Sequence, residues 1–143
     1  MQHTSILIFF IAIINLAAAQ TGECAVEIKG FQNNNGKCTI YLFKEKKGFP
    51  TDFKYALSYA TGTVVNGKCM VVLKNIPYGT YAIAAHHDEN NNSKLDKNFI
   101  GLPKEGVGTS NNAKSSFGPP SFDDSKITIN KSNVSISITI KNL

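Results

Sequence analysis

The side chains able to do chemistry are concentrated in one run, His87-Asp88-Glu89-Asn90-Asn91-Asn92-Ser93-Lys94-Leu95-Asp96. Oxygen-bearing side chains fall at Asp88, Asn90, Asn92 and Asp96, which are positions 1, 3, 5 and 9 of a loop. That spacing suits a hard cation with oxygen ligands, calcium above all. Asp88, Asn90 and Asn92 are the expected side-chain ligands, Lys94 offers its backbone carbonyl, and Asp96 binds directly or through water. Leu95 is placed to pin the loop to a core. This is not an EF-hand, because Phe99 stands at position 12, where the closing carboxylate belongs, and no helices flank the run. Glu89 points elsewhere on the same spacing, and Asp123 or Asp124 is available to close the shell from a distance. So lightly charged a site belongs in the weak range of extracellular modules, roughly 10⁻⁴–10⁻³ M. The competing reading is an Asn/Asp-rich turn capped by its own side chains, with no ion.

No catalytic constellation accompanies the run. On a strand, His86 and His87 point to opposite faces and do not share one substrate. Tyr81, Ile83, Ala85 and His87 fall on one face, which puts His87 at the end of the fold, hydrogen-bonded to the loop that follows it. Ser110 and the other serines lack a Gly-x-Ser-x-Gly context. No nucleophile–base–orienter set is visible, so an enzyme is not expected.

The elements that must position this loop read as β. Cys24, Val26 and Ile28 alternate with polar or small neighbours, Asn33-Asn34-Asn35-Gly36 turns, and Cys38, Ile40 and Leu42 alternate again, which predicts a first hairpin. A less regular strand is expected over about 55–65. Asn66-Gly67 is a two-residue hairpin signal, because both central positions of a type I′ turn need positive φ. Cys69, Val71 and Leu73 continue beyond it. Pro77-Tyr78-Gly79 then turns the chain into Tyr81–Ala85, which feeds the Asp/Asn run. Val134, Ile136, Ile138 and Ile140 show the cleanest period of two. Ile127 and Ile129 precede them across Asn130-Lys131-Ser132-Asn133, predicting a final hairpin. About seven short strands without helical amphipathicity imply an all-β fold, an antiparallel two-sheet sandwich. A long loop at about 88–123 contains Gly106-Val107-Gly108-Thr109-Ser110-Asn111-Asn112. This stretch suits a ligand-facing loop and equally one that satisfies its own backbone.

Composition sets the compartment and excludes some partners. Ile6 to Leu16 is apolar apart from Asn15, and Ala17-Ala18-Ala19 offers a small-x-small cleavage site. Residues 1–19 therefore read as a secretory signal peptide, too short to span a membrane, and 20–143 as a single domain that is secreted or periplasmic. No stable membrane insertion is expected after cleavage. The net charge is +5, and all fifteen basic residues are lysine. Without arginine for bidentate phosphate or base contacts, nucleic acid is not an expected partner. Cys24, Cys38 and Cys69 suit one disulfide and one leftover thiol in an oxidising compartment, and three pairings are open. Each cysteine also begins the apolar side of an alternating run, where it fits as a small buried residue.

One ordered set of motifs carries a family resemblance. It runs from Pro77-Tyr78-Gly79-Thr80-Tyr81-Ala82-Ile83 through His87-Asp88-Glu89-Asn90-x-Asn92-x-Lys94-Leu95-Asp96 into Asn98-Phe99-Ile100-Gly101-Leu102-Pro103-Lys104-Glu105-Gly106. Ser110-Asn111-Asn112-Ala113 and Gly118-Pro119-Pro120-Ser121-Phe122-Asp123 follow. This set resembles the domain-of-unknown-function 2141 family of secreted bacterial proteins. The resemblance implies a small exported domain with a sandwich of the transthyretin or carboxypeptidase-regulatory-domain type, and no established activity. This chain departs from the family at Asn91 and Ser93, where glycine is usual. A calcium loop also prefers glycine at its sixth position, here Ser93.

Three functional classes follow. The first is a non-catalytic module that binds calcium and an unknown protein or glycan ligand through loops near 86–123. The second is a structural or adhesive domain stiffened by the ion. The third is a hydrolase using His87 and Asp88. Partner or glycan capture, calcium-dependent stability without a ligand, and loss of activity in His87→Ala separate them.

Overall fold

The computed structural model describes residues 18–142. The expected signal peptide lies almost wholly outside the described residues. Eight strands follow in chain order: β1 (Thr21–Lys29), β2 (Lys37–Phe43), β3 (Ser58–Gly62), β4 (Lys68–Pro77), β5 (Gly79–Asp88), β6 (Val107–Thr109), β7 (Lys126–Ile129) and β8 (Asn133–Thr139). A one-turn 3-10 helix occupies Phe53–Tyr55, and Ser110–Asn112 forms a tight turn with Asn111 and Asn112 at φ 61° and 47°. None of the described helices is long and apolar enough to cross a membrane.

The strands form two sheets, β4-β1-β8 and β3-β2-β5-β6, with β7 also paired to β5. The alternating residues do face inward. Cys24, Val26, Ile28, Cys38, Ile40, Leu42, Ile83 and Ile138 are fully buried in one cluster between the sheets. Burying each such aliphatic side chain contributes about 1.5–3 kcal/mol against leaving it in water.

Pairing departs from expectation in three places. The expected first hairpin is absent: β1 lies in the three-stranded sheet and β2 in the five-stranded one. The Asn33–Gly36 turn carries the chain from one sheet to the other. The expected final hairpin is absent for the same reason, since β7 pairs with β5 while β8 pairs with β1. The sandwich is also not wholly antiparallel, because β8 runs parallel to β1 from Glu23↔Asn133 to Lys29↔Thr139. Both strands enter their sheet from the same end, and each turn before or after them is a crossing between layers. Asn66-Gly67 forms the predicted tight turn, with φ of 51° and 71° and mutual Val65–Lys68 backbone bonds of 2.8 and 3.0 Å. The strands it joins then diverge into different sheets.

The long 88–123 segment is interrupted by β6 and this tight turn. Three residues are too few to display a period, so the alternation test missed β6. Ser110 Oγ accepts the Ile83 N–H at 2.9 Å and donates to the Ser125 carbonyl. Asn112 Oδ1 accepts the Thr139 N–H at 2.7 Å. These polar residues of the Gly106–Asn112 stretch thus satisfy the backbone. The outer face of the larger sheet is covered as well: Phe43, Ala82, Ala84 and Phe122 form a second buried cluster, with Phe49 and Phe53 against it.

Candidate functional site

Strand β5 ends at Asp88, so the sheet itself aims the start of the Asp/Asn loop. Asp88 is 1 % exposed. Its Oδ1 accepts the Asn92 N–H at 3.0 Å and its Oδ2 accepts the Ser93 N–H at 2.8 Å. Asn90 Oδ1 accepts the Asn92 N–H at 3.1 Å, and Asn92 Oδ1 accepts the Lys94 N–H at 2.8 Å. Both asparagine amides also reach across the loop. Asn90 Nδ2 donates to Asp96 Oδ2 at 2.6 Å, and Asn92 Nδ2 donates to both Asp96 oxygens at 3.1 Å. Asp88, Asn90, Asn92 and Asp96 therefore converge, as their spacing predicts. Asn91 and Ser93 take left-handed conformations at φ 59° and 60°, which closes the loop tightly.

Lys94 contributes its backbone to this loop, through the N–H held by Asn92. Leu95 is half-buried and joins neither core cluster. Asp123 and Asp124 are engaged elsewhere. The Asp123 carboxylate sits between Lys126 and Lys46, which hold it below the usual carboxylate range. Asp124 Oδ2 accepts the Ser121 hydroxyl at 2.6 Å. Among the described residues, no group of three or more His, Cys, Asp or Glu side chains is arranged to hold a metal. The candidate loop relies on two carboxylates and two amides.

Two residues at the base of the loop escaped sequence reasoning. Glu105, 5 % exposed, accepts the Glu89 N–H on Oε1 at 3.1 Å and the Asp96 N–H on Oε2 at 3.1 Å. The same Oε2 lies 2.8 Å from His86 Nε2. One buried carboxylate thus ties both ends of the loop to the sheet, and His86 stacks on Phe53 behind it at 5.6 Å. Lys37 is the other: its ammonium lies 3.4 Å from Asp88 Oδ2 and 2.9 Å from Ser93 Oγ. The register Lys37↔Asp88 between β2 and β5 places it there. A lone glutamate in an aperiodic segment and a lysine opening a strand carry no sequence signal of these roles.

His87 meets the following segment through its backbone N–H, which donates to the Gly106 carbonyl at 2.9 Å, and its Nδ1 lies 3.6 Å from Glu89 Oε1. Its Nε2–H instead donates to the Asn35 carbonyl at 2.8 Å, in the connection before β2. The ring is fully buried and meets Phe31 edge-on at 4.9 Å. Gly36 makes this approach possible: its φ is 64°, and a Cβ there would collide with the Asp88 carbonyl.

The three cysteines are free, buried thiols. The neighbouring Cys69 thiol and burial push the Cys38 thiol up, and the Cys38 thiol pushes Cys69 down. Burial pushes Cys24 up to about 11.

The profile of a bacterial family described as "Uncharacterized protein conserved in bacteria (DUF2141)" matches residues 26–137, which takes in the core strands and the whole Asp/Asn loop. The chain belongs to the DUF2141 family. No curated protein matches this DUF2141 chain. Among solved structures, a pilus-presented adhesin (Cpa) is similar at 10 % identity and a TM-score of 0.28, over 85 % of this chain and 27 % of its own. The DUF2141 chain thus spans little more than a quarter of that protein.

Proposed function

We propose that this protein is a non-catalytic, exported β-sandwich module. Its Asp88–Asp96 loop takes up calcium, and the loops beyond it, over residues 97–123, bind a ligand or partner. The convergence of Asp88, Asn90, Asn92 and Asp96 carries the ion half of this reading. Four oxygen-bearing side chains meet within one loop whose ends are fixed by Glu105. The Asp96 oxygens now accept two amide N–H groups, and a cation would take those oxygens in their place. His87 supports the non-catalytic half: it is buried, and its Nε2–H is committed to a backbone carbonyl. We place the sandwich with the transthyretin or carboxypeptidase-regulatory-domain type on its two-layer arrangement and its strand count. An experimental structure superposed on that type tests the placement.

A second reading has its own observation. Lys37 already supplies a positive charge at Asp88, and the backbone N–H groups of Asn92, Ser93 and Lys94 are capped within the loop. On that reading the run is a self-capped turn. Thermal unfolding in chelator and in millimolar calcium separates the two. At the expected Kd of roughly 10⁻⁴–10⁻³ M, calcium at about 10 mM stands ten- to hundredfold over Kd and adds about 1.4–2.7 kcal/mol of stability. A calcium-dependent rise that disappears in both Asp88→Ala and Asp96→Ala supports the ion. No calcium response in the parent protein sinks it.

A further inference from the structure

A cleft of about 910 Å³ opens beside the Asp/Asn loop, over the outer face of the larger sheet. Sites that bury small ligands commonly measure about 300–1,000 Å³ and are mostly apolar, with a few placed polar groups. The walls here include Phe53, Ala84, Leu102, Val107 and Pro119. One side is the small hairpin that directly follows the loop, closed by the Lys97↔Pro103 bridge and by the Lys104 N–H on the Asp96 carbonyl at 2.8 Å. A second part of the wall is the 112–120 segment. Phe99 at the tip of the first wall is 99 % exposed, and Phe117 on the second is 94 % exposed. Both segments therefore present an aromatic ring to solvent.

The charge on this cleft has one sign. Lys97, Lys114 and Lys141 line it, and no aspartate or glutamate does. None of the three forms an ion pair among the described residues, whereas Lys46 and Lys126 nearby share Asp123. Thr109 in the wall is 5 % exposed, and its hydroxyl makes no hydrogen bond. An apolar trough with unpaired cations around it matches an apolar body that carries a single anionic head. A polyanion would leave the apolar walls unmatched, and a neutral hydrocarbon would leave the lysines unmatched.

We propose that this cleft binds a free long-chain carboxylate, its hydrocarbon chain along the apolar walls and its head among Lys97, Lys114 and Lys141. The inference rests on the ligand-binding half of the reading above and does not require the ion. Calorimetric titration of the purified protein with dodecanoate, below its micelle concentration and in chelator, tests it. Dodecanoate binds, dodecanol binds at least tenfold more weakly, and butanoate at least a hundredfold more weakly. The Lys97→Ala/Lys114→Ala/Lys141→Ala variant loses tenfold or more in dodecanoate affinity. All three lysines are exposed, so an unchanged melting temperature confirms that this variant is folded. Absence of dodecanoate binding overturns the proposal, as does equal affinity in the triple variant. Sedimentation with phosphatidylglycerol vesicles without binding of free dodecanoate also overturns it, in favour of a membrane surface. The calcium melts report on the loop separately, so the two readings fail independently.

Discussion

Lys37 holds its ammonium 3.4 Å from Asp88 Oδ2, inside the loop proposed to take calcium. A resident cation lowers the field available to a second one. The pair is partly solvated, with Lys37 30 % exposed, so its effect is well below the low-dielectric limit. Lys37→Met is expected to tighten calcium about tenfold, about 1.4 kcal/mol. Calcium titration of the two proteins at equal ionic strength checks it, and unchanged affinity removes Lys37 as a competitor.

Ser93 bears a different cost. Its φ of 60° lies in the left-handed region, where a non-glycine residue costs roughly 1–2 kcal/mol. Glycine removes that strain and returns about 0.5–1 kcal/mol of it through greater freedom in the unfolded chain. Ser93→Gly is expected to stabilise the protein by about 0.5–1 kcal/mol. A higher urea midpoint at unchanged m-value is the readout, and a lower midpoint would show that the Ser93 Oγ contact with Lys37 outweighs the backbone term.

Glu105 fixes the loop from outside it. Three groups meet its two oxygens: the Glu89 N–H, the Asp96 N–H and His86 Nε2. Removing one member of a buried, hydrogen-bonded charged set typically costs about 3–5 kcal/mol, and Glu105→Ala is expected in that range. Glu105→Gln keeps one acceptor oxygen and is expected to cost about 1–2 kcal/mol. Urea unfolding is the readout: equal losses in both variants would mean that the full carboxylate is required, and an unchanged Glu105→Gln would mean that packing and not the second acceptor explains the site.

Alternation identified which residues of β1, β2, β4 and β8 face inward, because a strand with one buried face must repeat every two residues. It said nothing about partners. Asn66-Gly67 illustrates the limit: the turn geometry is fully local and was legible, yet the strands on either side belong to different sheets. The same gap produced the two hairpins that are in fact crossings at 33–36 and 130–133. His86 points away from the inter-sheet core, as the period requires, but it is buried beneath segments distant in sequence. The candidate ligands Asp88, Asn90, Asn92 and Asp96 were legible because they lie close together in the chain. Lys37 and Glu105 reach the loop from other segments, and only register and tertiary packing bring them there.

The cysteines give the last prediction. Cys38 and Cys69 sit on different sheets, and Cys69 Sγ lies 2.5 Å from where a Cβ on Gly62 would stand, directly opposite Cys38. Cys69 is the easier of the two to ionise, because the neighbouring Cys38 thiol lowers it while Cys69 and burial raise Cys38. In an oxidising compartment it attacks an external disulfide, Cys38 resolves the mixed disulfide, and the external pair leaves as two thiols. Peptide mapping of oxidised protein is expected to join Cys38 to Cys69 and to leave Cys24 free. Cys24 is fully buried, and burial raises its thiol from an ordinary 9.0 to about 11. The folded state therefore favours the neutral thiol. The resulting stability is fully present below about pH 9 and is lost as pH rises through about 11. Wild type should fall relative to Cys24→Ala by about 2–3 kcal/mol across that window in urea melts. Alkylation of Cys24 in the native protein at pH 8, without denaturant, would contradict both its burial and this assignment.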